Sequence, residues 1–228
     1  MDKISEKFLG RKELLFLLIV LLLPLPALLV GIGRADVTRH MESLTLATSQ
    51  ETWLRQSGGE ENAWLLPSRN GVTRVRKPPA SVWFNMLAWA GMDPNYAEPW
   101  DLIVNGRLLG VVLALVMLVS IYWIGSQLRG PTLGFCAAVV VASTHAFLDQ
   151  SRTITYDTHL MAWCALAVAC GLRAFQGGKR SLFFVLLGGL VAGVGLGSRA
   201  AHQGRLIAAV GQLITQVCGI GIHRSWAH

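Results

Sequence analysis

Apolar residues along this chain fall in long blocks, without the period of two expected of a half-buried strand or the 3.6 of a surface helix. The first block, Leu14–Gly33, runs twenty residues without a charge. At 1.5 Å per residue it spans roughly 30 Å, the thickness of a bilayer's hydrocarbon core. It follows Lys3, Lys7, Arg11 and Lys12. A cleaved signal peptide would have a shorter apolar core of about 7–15 residues, so the block reads as a retained helix. Four more blocks follow: Leu108–Leu128, Pro131–Leu148, Leu160–Phe175 and Leu182–Gly197. The pattern predicts an all-α polytopic membrane protein with about five transmembrane helices. Leu206–Ile222, with two glutamines and several glycines, is a weaker sixth candidate.

Between the first two blocks lies the only long polar stretch, residues 34–107, expected to be one outer loop carrying short amphipathic juxtamembrane helices. Val37, Met41 and Leu44 recur at helical spacing, with Asp36, Arg39, His40 and Ser43 on the neighbouring face. Such a helix can lay its apolar side in the headgroup layer. Farther on, Pro78-Pro79 can open a second helix through Val82, Met86 and Trp89 to Gly91. Lys77 precedes its N-terminus, where free N–H groups and the helix dipole favour an anion. The loop is dense in tryptophan (Trp53, Trp64, Trp83, Trp89 and Trp100), and interfacial anchoring is the ordinary explanation. In the last block Gly189, Gly193 and Gly197 recur at steps of four, which predicts a close-packing face.

Composition agrees with the blocks: of 228 residues, 53% are hydrophobic and only 14% charged, too few charges for an ordinary soluble domain. The net charge of +7 is accounted for by topology. With a cytoplasmic N-terminus, the four leading basic residues, Arg129, Arg173, Lys179 and Arg180 all fall inside. No basic patch interleaves with aromatics on a soluble face, so nucleic acid is not an expected partner. Cys136, Cys164, Cys170 and Cys218 lie in apolar segments without a Cys-x-x-Cys pair, and read as buried free thiols.

Residue type alone leaves the candidate chemistry open. Asp36 is a base or a helix N-cap at the membrane surface. His40 has no second histidine or cysteine at ligand spacing and reads as a surface polar residue. Lys77 suits a phosphate, whether of a substrate or of lipid headgroups. Asp157, in the second outer loop 149–159, is a cap or a functional carboxylate.

The order of these elements is more specific than any one of them. A first membrane helix leads at once to Asp36-Val-Thr-Arg39-His40. Lys77-Pro78-Pro79 and Trp83 follow in the same loop, then Arg107-Leu-Leu-Gly at the second helix, and Asp157 after Arg152. Over residues 10–195 this resembles the protein O-mannosyltransferase and aminoarabinose-transferase superfamily, the GT-C fold of glycosyltransferase family 39. The chain departs from the family's pattern in having Val37 where many members have Glu, and His40 where Tyr is common. The resemblance implies a membrane glycosyltransferase moving a sugar from a polyprenyl-phosphate donor to a lipid, glycan or protein acceptor. It implies Asp36 and Asp157 as catalytic carboxylates, with Arg39, His40 and Lys77 binding substrate. It neither requires nor excludes a divalent metal. Family members are more than twice this long, and after Gly197 the pattern dissolves, so the expected organisation is a GT-C-like region, 1–197, and an atypical tail, 198–228, from truncation or a frame shift. The expected setting is a bacterial-type inner membrane with the active loop outside. Two other readings compete. A non-catalytic scaffold or assembly subunit predicts that the carboxylates are dispensable. A transporter would call for internal repeats and midplane charges, which the sequence lacks.

Overall fold

A computed structural model describes residues 10–34, 36–37, 39–74, 79–93, 96–177 and 181–196. The protein is an all-α polytopic membrane protein. The first apolar block forms α1 (Arg11–Leu22) and α2 (Leu25–Leu29), interrupted at Leu23-Pro24. Glu13 begins α1 firmly, its carboxylate accepting from the Gly10 N–H at 2.9 Å. The second block lies within α5 (Pro99–Arg129), a 31-residue helix. Gly130, at φ +91°, and Pro131 then reverse the chain into α6 (Pro131–Ala142).

The third block is not one straight helix. It breaks at Ser143-Thr144, and α7 (His145–Ser151) departs at 71° from α6. Thr144 has left helical geometry, and its hydroxyl caps the new N-terminus by accepting from Phe147 N–H at 3.3 Å. Then come α8 (Tyr156–Phe175) and α9 (Ser181–Leu196). Among the described residues three helices are long and apolar enough to span a bilayer, or four if the bent pair is one span. In α9 the apolar run Ser181–Val194 is shorter. The weak candidate 206–222 and Cys218 lie outside the described residues.

Close helix contact occurs where α5 meets α6. A Cβ on Gly134 would come 2.2 Å from the Tyr122 carbonyl oxygen, and one on Gly125 2.6 Å from Gly134 Cα. Of the glycines expected to pack in α9, Gly189 and Gly193 have no described residue within 4 Å of an added Cβ, while one on Gly188 would sit 3.3 Å from Cys170. Gly197 lies outside the described residues. The membrane core is built from Val20, Leu28, Val111, Leu118, Tyr122 and Phe147. Cys170 is buried, as expected of a free thiol, whereas Cys136 and Cys164 are exposed on their helices.

The polar stretch forms a layer at one end of the bundle. Helix α3 (His40–Ser57) is longer than expected and turned differently. Met41 is exposed, and the buried face carries Glu42, Leu44, Thr45, Thr48, Ser49, Thr52 and Trp53. The hydroxyls of Thr45, Thr48 and Thr52 each donate to the carbonyl four residues earlier, at 2.7–2.8 Å, so their burial leaves no unmet donor. A short hairpin follows, β1 (Ser68–Arg69) with β2 (Val72–Thr73), joined by Asn70-Gly71, both at positive φ. Helix α4 (Ala80–Ala88) begins directly after Pro79, as the double proline predicts. Trp53, Trp89 and Leu102 pack together, and Trp89 Nε1 donates to Leu102 O at 3.0 Å, fixing the layer to the start of α5.

Candidate active site

Glu42 joins three segments. Its carboxylate accepts from Arg107 Nε at 2.8 Å and Nη2 at 3.2 Å, and from the Ile154 N–H at 3.2 Å. The two side chains are only 2% and 3% exposed. α3 is thereby tied to α5 and to the connection between α7 and α8. Small residues let that connection come close: a Cβ on Gly110 would lie 2.9 Å from Ser151 O, and one on Gly106 2.5 Å from Ile154 Cδ1. Arg107 also reaches back along the chain, donating to Ile32 O at 2.8 Å and to Asp36 O at 3.4 Å. The short stretch leading to Asp36 is therefore held from below by a buried guanidinium.

Above this pair lies a cleft of about 620 Å³. One wall comes from Val30, Gly31, Ile32 and Asp36, the other from His145, Asp149, Arg152 and Thr153, with Arg39, Glu42 and Arg107 between them. Arg39 forms an ion pair with both oxygens of Asp149, bridging α7 and the N-terminus of α3. Hydrogen bonding to Asp149 raises the Arg39 guanidinium above its ordinary pKa. Arg152 Nη2 donates to Val30 O at 2.5 Å, linking the two walls directly. Asp36 is exposed, and among the described residues nothing pairs with its carboxylate. It is not the cap of α3, whose N-cap is Arg39. The capping alternative for Asp36 is thus set aside.

Asp36 and Arg39 meet in this cleft. His40, the first residue of α3, is exposed and does not line it. Asp157 is half-buried in the first turn of α8, whose N-cap is Thr155, and it too lies off the cleft lining. Lys77 is outside the described residues. Among those described, no group of three or more His, Cys, Asp or Glu side chains could hold a metal ion. A second recess, about 290 Å³ between Leu21, Val116, Val119 and Leu166, is almost wholly apolar and carries no chemistry.

Sequence reasoning passed over Glu42, His145 and Asp149. Arg107 gave a usable signal, an arginine one residue from a long apolar run, since an ionisable group at a membrane boundary needs a partner.

Residues 101–228 match the family described as dolichyl-phosphate-mannose-protein mannosyltransferase. The chain belongs to this family. Neither a curated protein nor a solved structure matches it. The mannosyltransferase match takes in Arg107, His145, Asp149, Arg152 and Asp157, and continues through residues 197–228, which the structure does not describe. Asp36, Arg39 and Glu42 precede the matched region. They meet the mannosyltransferase-like part through the contacts of Arg39 with Asp149, of Glu42 with Arg107 and Ile154, and of the Asp36 carbonyl with Arg107.

Proposed function

We propose that this chain carries the catalytic cleft of a membrane glycosyltransferase, which moves a sugar from a polyprenyl-phosphate donor to a hydroxyl of a lipid, glycan or protein. The observation that carries this reading is the Asp36 carboxylate, unpaired among the described residues, at the rim of a cleft that also holds Arg39, Arg152 and His145. A sugar phosphate already has a good leaving group. The reaction needs a base beside the incoming hydroxyl and positive charge beside the departing phosphate. Asp36 takes the hydroxyl proton as the acceptor oxygen bonds to the anomeric carbon. The bond from that carbon to the phosphate oxygen breaks, its electron pair leaving with the polyprenyl phosphate. One displacement inverts the anomeric centre.

Arg152, with Lys77 from the loop, provides charge for the phosphate. Arg39, held by Asp149, orients Asp36 or the sugar. The basic residues of the opposite end, Arg11, Lys12, Arg129 and Arg173, favour a cytoplasmic location for it, so the cleft opens on the outer side of a bacterial-type inner membrane.

The test is transfer from a labelled polyprenyl-phosphate sugar in reconstituted membranes. Asp36→Asn is expected to lower the rate by roughly 10²–10⁴-fold, the span of a positioned general base. Full activity in that variant would remove Asp36 from the mechanism. No transfer by the unaltered chain, with any donor sugar tried, would favour the scaffold reading.

A further inference from the structure

The loop tryptophans divide into two groups. Trp53 and Trp89 are buried in the core of the polar layer. Trp64 and Trp83 instead lie against each other at the surface, ring centroids 5.4 Å apart, 41% and 39% exposed. Trp83 Nε1 donates to Trp64 O at 2.7 Å, which satisfies its polar edge and leaves the ring apolar outward. Leu65 and Leu66 continue the surface from Trp64. Leu87, one turn after Trp83 on α4, is 66% exposed. A contiguous patch of two tryptophans and three leucines is more than a water-facing surface ordinarily carries.

The flank of α4 next to this patch fixes its depth. Phe84 stacks on Trp163 at 5.4 Å and lies 5.5 Å from His159. Both partners belong to α8, a helix apolar and long enough to span the bilayer. They stand about 5 and 10 Å along it from Tyr156, at 1.5 Å per residue. α4 is thus packed beside the first two turns of a spanning helix, and its inner face is occupied by α3 through Asn85 Nδ2 and Ser49 Oγ, 3.0 Å apart. The remaining outward face flanks the start of that spanning helix.

We propose that Trp64, Leu65, Leu66, Trp83 and Leu87 form a lipid-contact surface that seats the polar layer at the headgroup–acyl boundary. Trp83 with its N–H satisfied, an interfacial Trp64 and leucines with no polar group suit that depth. The inference is independent of sugar transfer.

Spin labels test it, placed singly at Leu65→Cys and Leu87→Cys in the full chain with its four cysteines changed to alanine. The chain is reconstituted in vesicles of phosphatidylethanolamine and phosphatidylglycerol. Glu61→Cys, in an exposed polar turn, and Leu186→Cys, on the exposed apolar face of α9, are the references. The ratio of oxygen to water-soluble nickel collisions at Leu65 and Leu87 is expected to lie above that of Glu61 and below that of Leu186, as at the headgroup–acyl boundary. A ratio equal to that of Glu61 would place the patch in water and overturn the proposal. Low collision rates with both reagents would show that protein covers it, and would overturn it equally.

Discussion

Replacing Glu42 by glutamine keeps the shape of the side chain and removes its charge. The Arg107 guanidinium then remains buried, its side chain 3% exposed, with the Glu42 charge beside it gone. The Ile154 N–H and two guanidinium nitrogens lose a carboxylate acceptor. Breaking a buried pair from one side costs about 3–5 kcal/mol, most of it the penalty of the orphaned charge. For a chain of this size each kcal/mol moves the midpoint by about 2–4 °C, so the melting temperature should fall by between about 6 and 20 °C. The assay is thermal unfolding of detergent-solubilised protein followed by tryptophan fluorescence. The double variant Glu42→Leu, Arg107→Leu should recover much of the loss, because no buried charge is left. Recovery stays incomplete, since Ile32 O and Ile154 N–H still lack their partners. A midpoint for Glu42→Gln within about 2 °C of the parent would mean that water already solvates the pair, and the three-segment junction would have to be abandoned.

Glycine substitutions should separate the two helix faces. Gly134→Ala drives a methyl into the Tyr122 carbonyl and should destabilise by about 1–3 kcal/mol or more, whereas Gly189→Ala, with open space around it, should be neutral or gain up to about 1 kcal/mol; both are read by thermal melts. The hairpin should come apart in acid. Burial tends to raise the Glu51 carboxyl, but hydrogen bonds from Ser68, Gly71 and Asn70, with Arg55 nearby, hold it below its ordinary value. A lowered folded value means stability that is present above the unfolded pKa and lost as pH falls through the folded one. Protection of the Asn70 and Gly71 amides, measured against their intrinsic exchange rates at each pH, should therefore fall on acidification in the parent, and already be low at neutral pH in Glu51→Gln. Asp149→Asn removes the partner of Arg39, so substrate affinity should change more than stability, because the pair is about one-third exposed. A large drop in melting temperature with unchanged KM would contradict that.

The spanning helices were legible because a bilayer imposes length and apolarity together, and α5 and α8 satisfy both. The break at Ser143-Thr144 was not, since its flanks are apolar and neither residue is a strong helix breaker. The layer was legible in its punctuation: Pro79 opens α4, and Asn70-Gly71 was an available hairpin signal that went unused. Its inward face was hidden. Thr45, Thr48 and Thr52 look like a solvated stripe until their hydroxyls return to the helix's own carbonyls. Glu42 looks like one more surface charge, because its partner lies sixty-five residues away. Glycine spacing along one helix says nothing of where the next helix stands, so the contact fell at Gly125 and Gly134. Of the residues that line the cleft, Asp36 and Arg39 stood out by order and spacing. Asp149 was missed, because only the bend of α7 brings it to them.

At 1.5 Å per residue the unbroken α5 is about 46 Å long, against roughly 30 Å of hydrocarbon. Even with some tilt, its first turns rise out of the hydrocarbon like a mast, with Leu102 and Arg107 on the projecting length. The stays tied to that mast are Trp89 and Glu42. The polar layer is consequently not a cap on flexible tethers: when α5 leans or turns in the bilayer, both walls of the cleft travel with it.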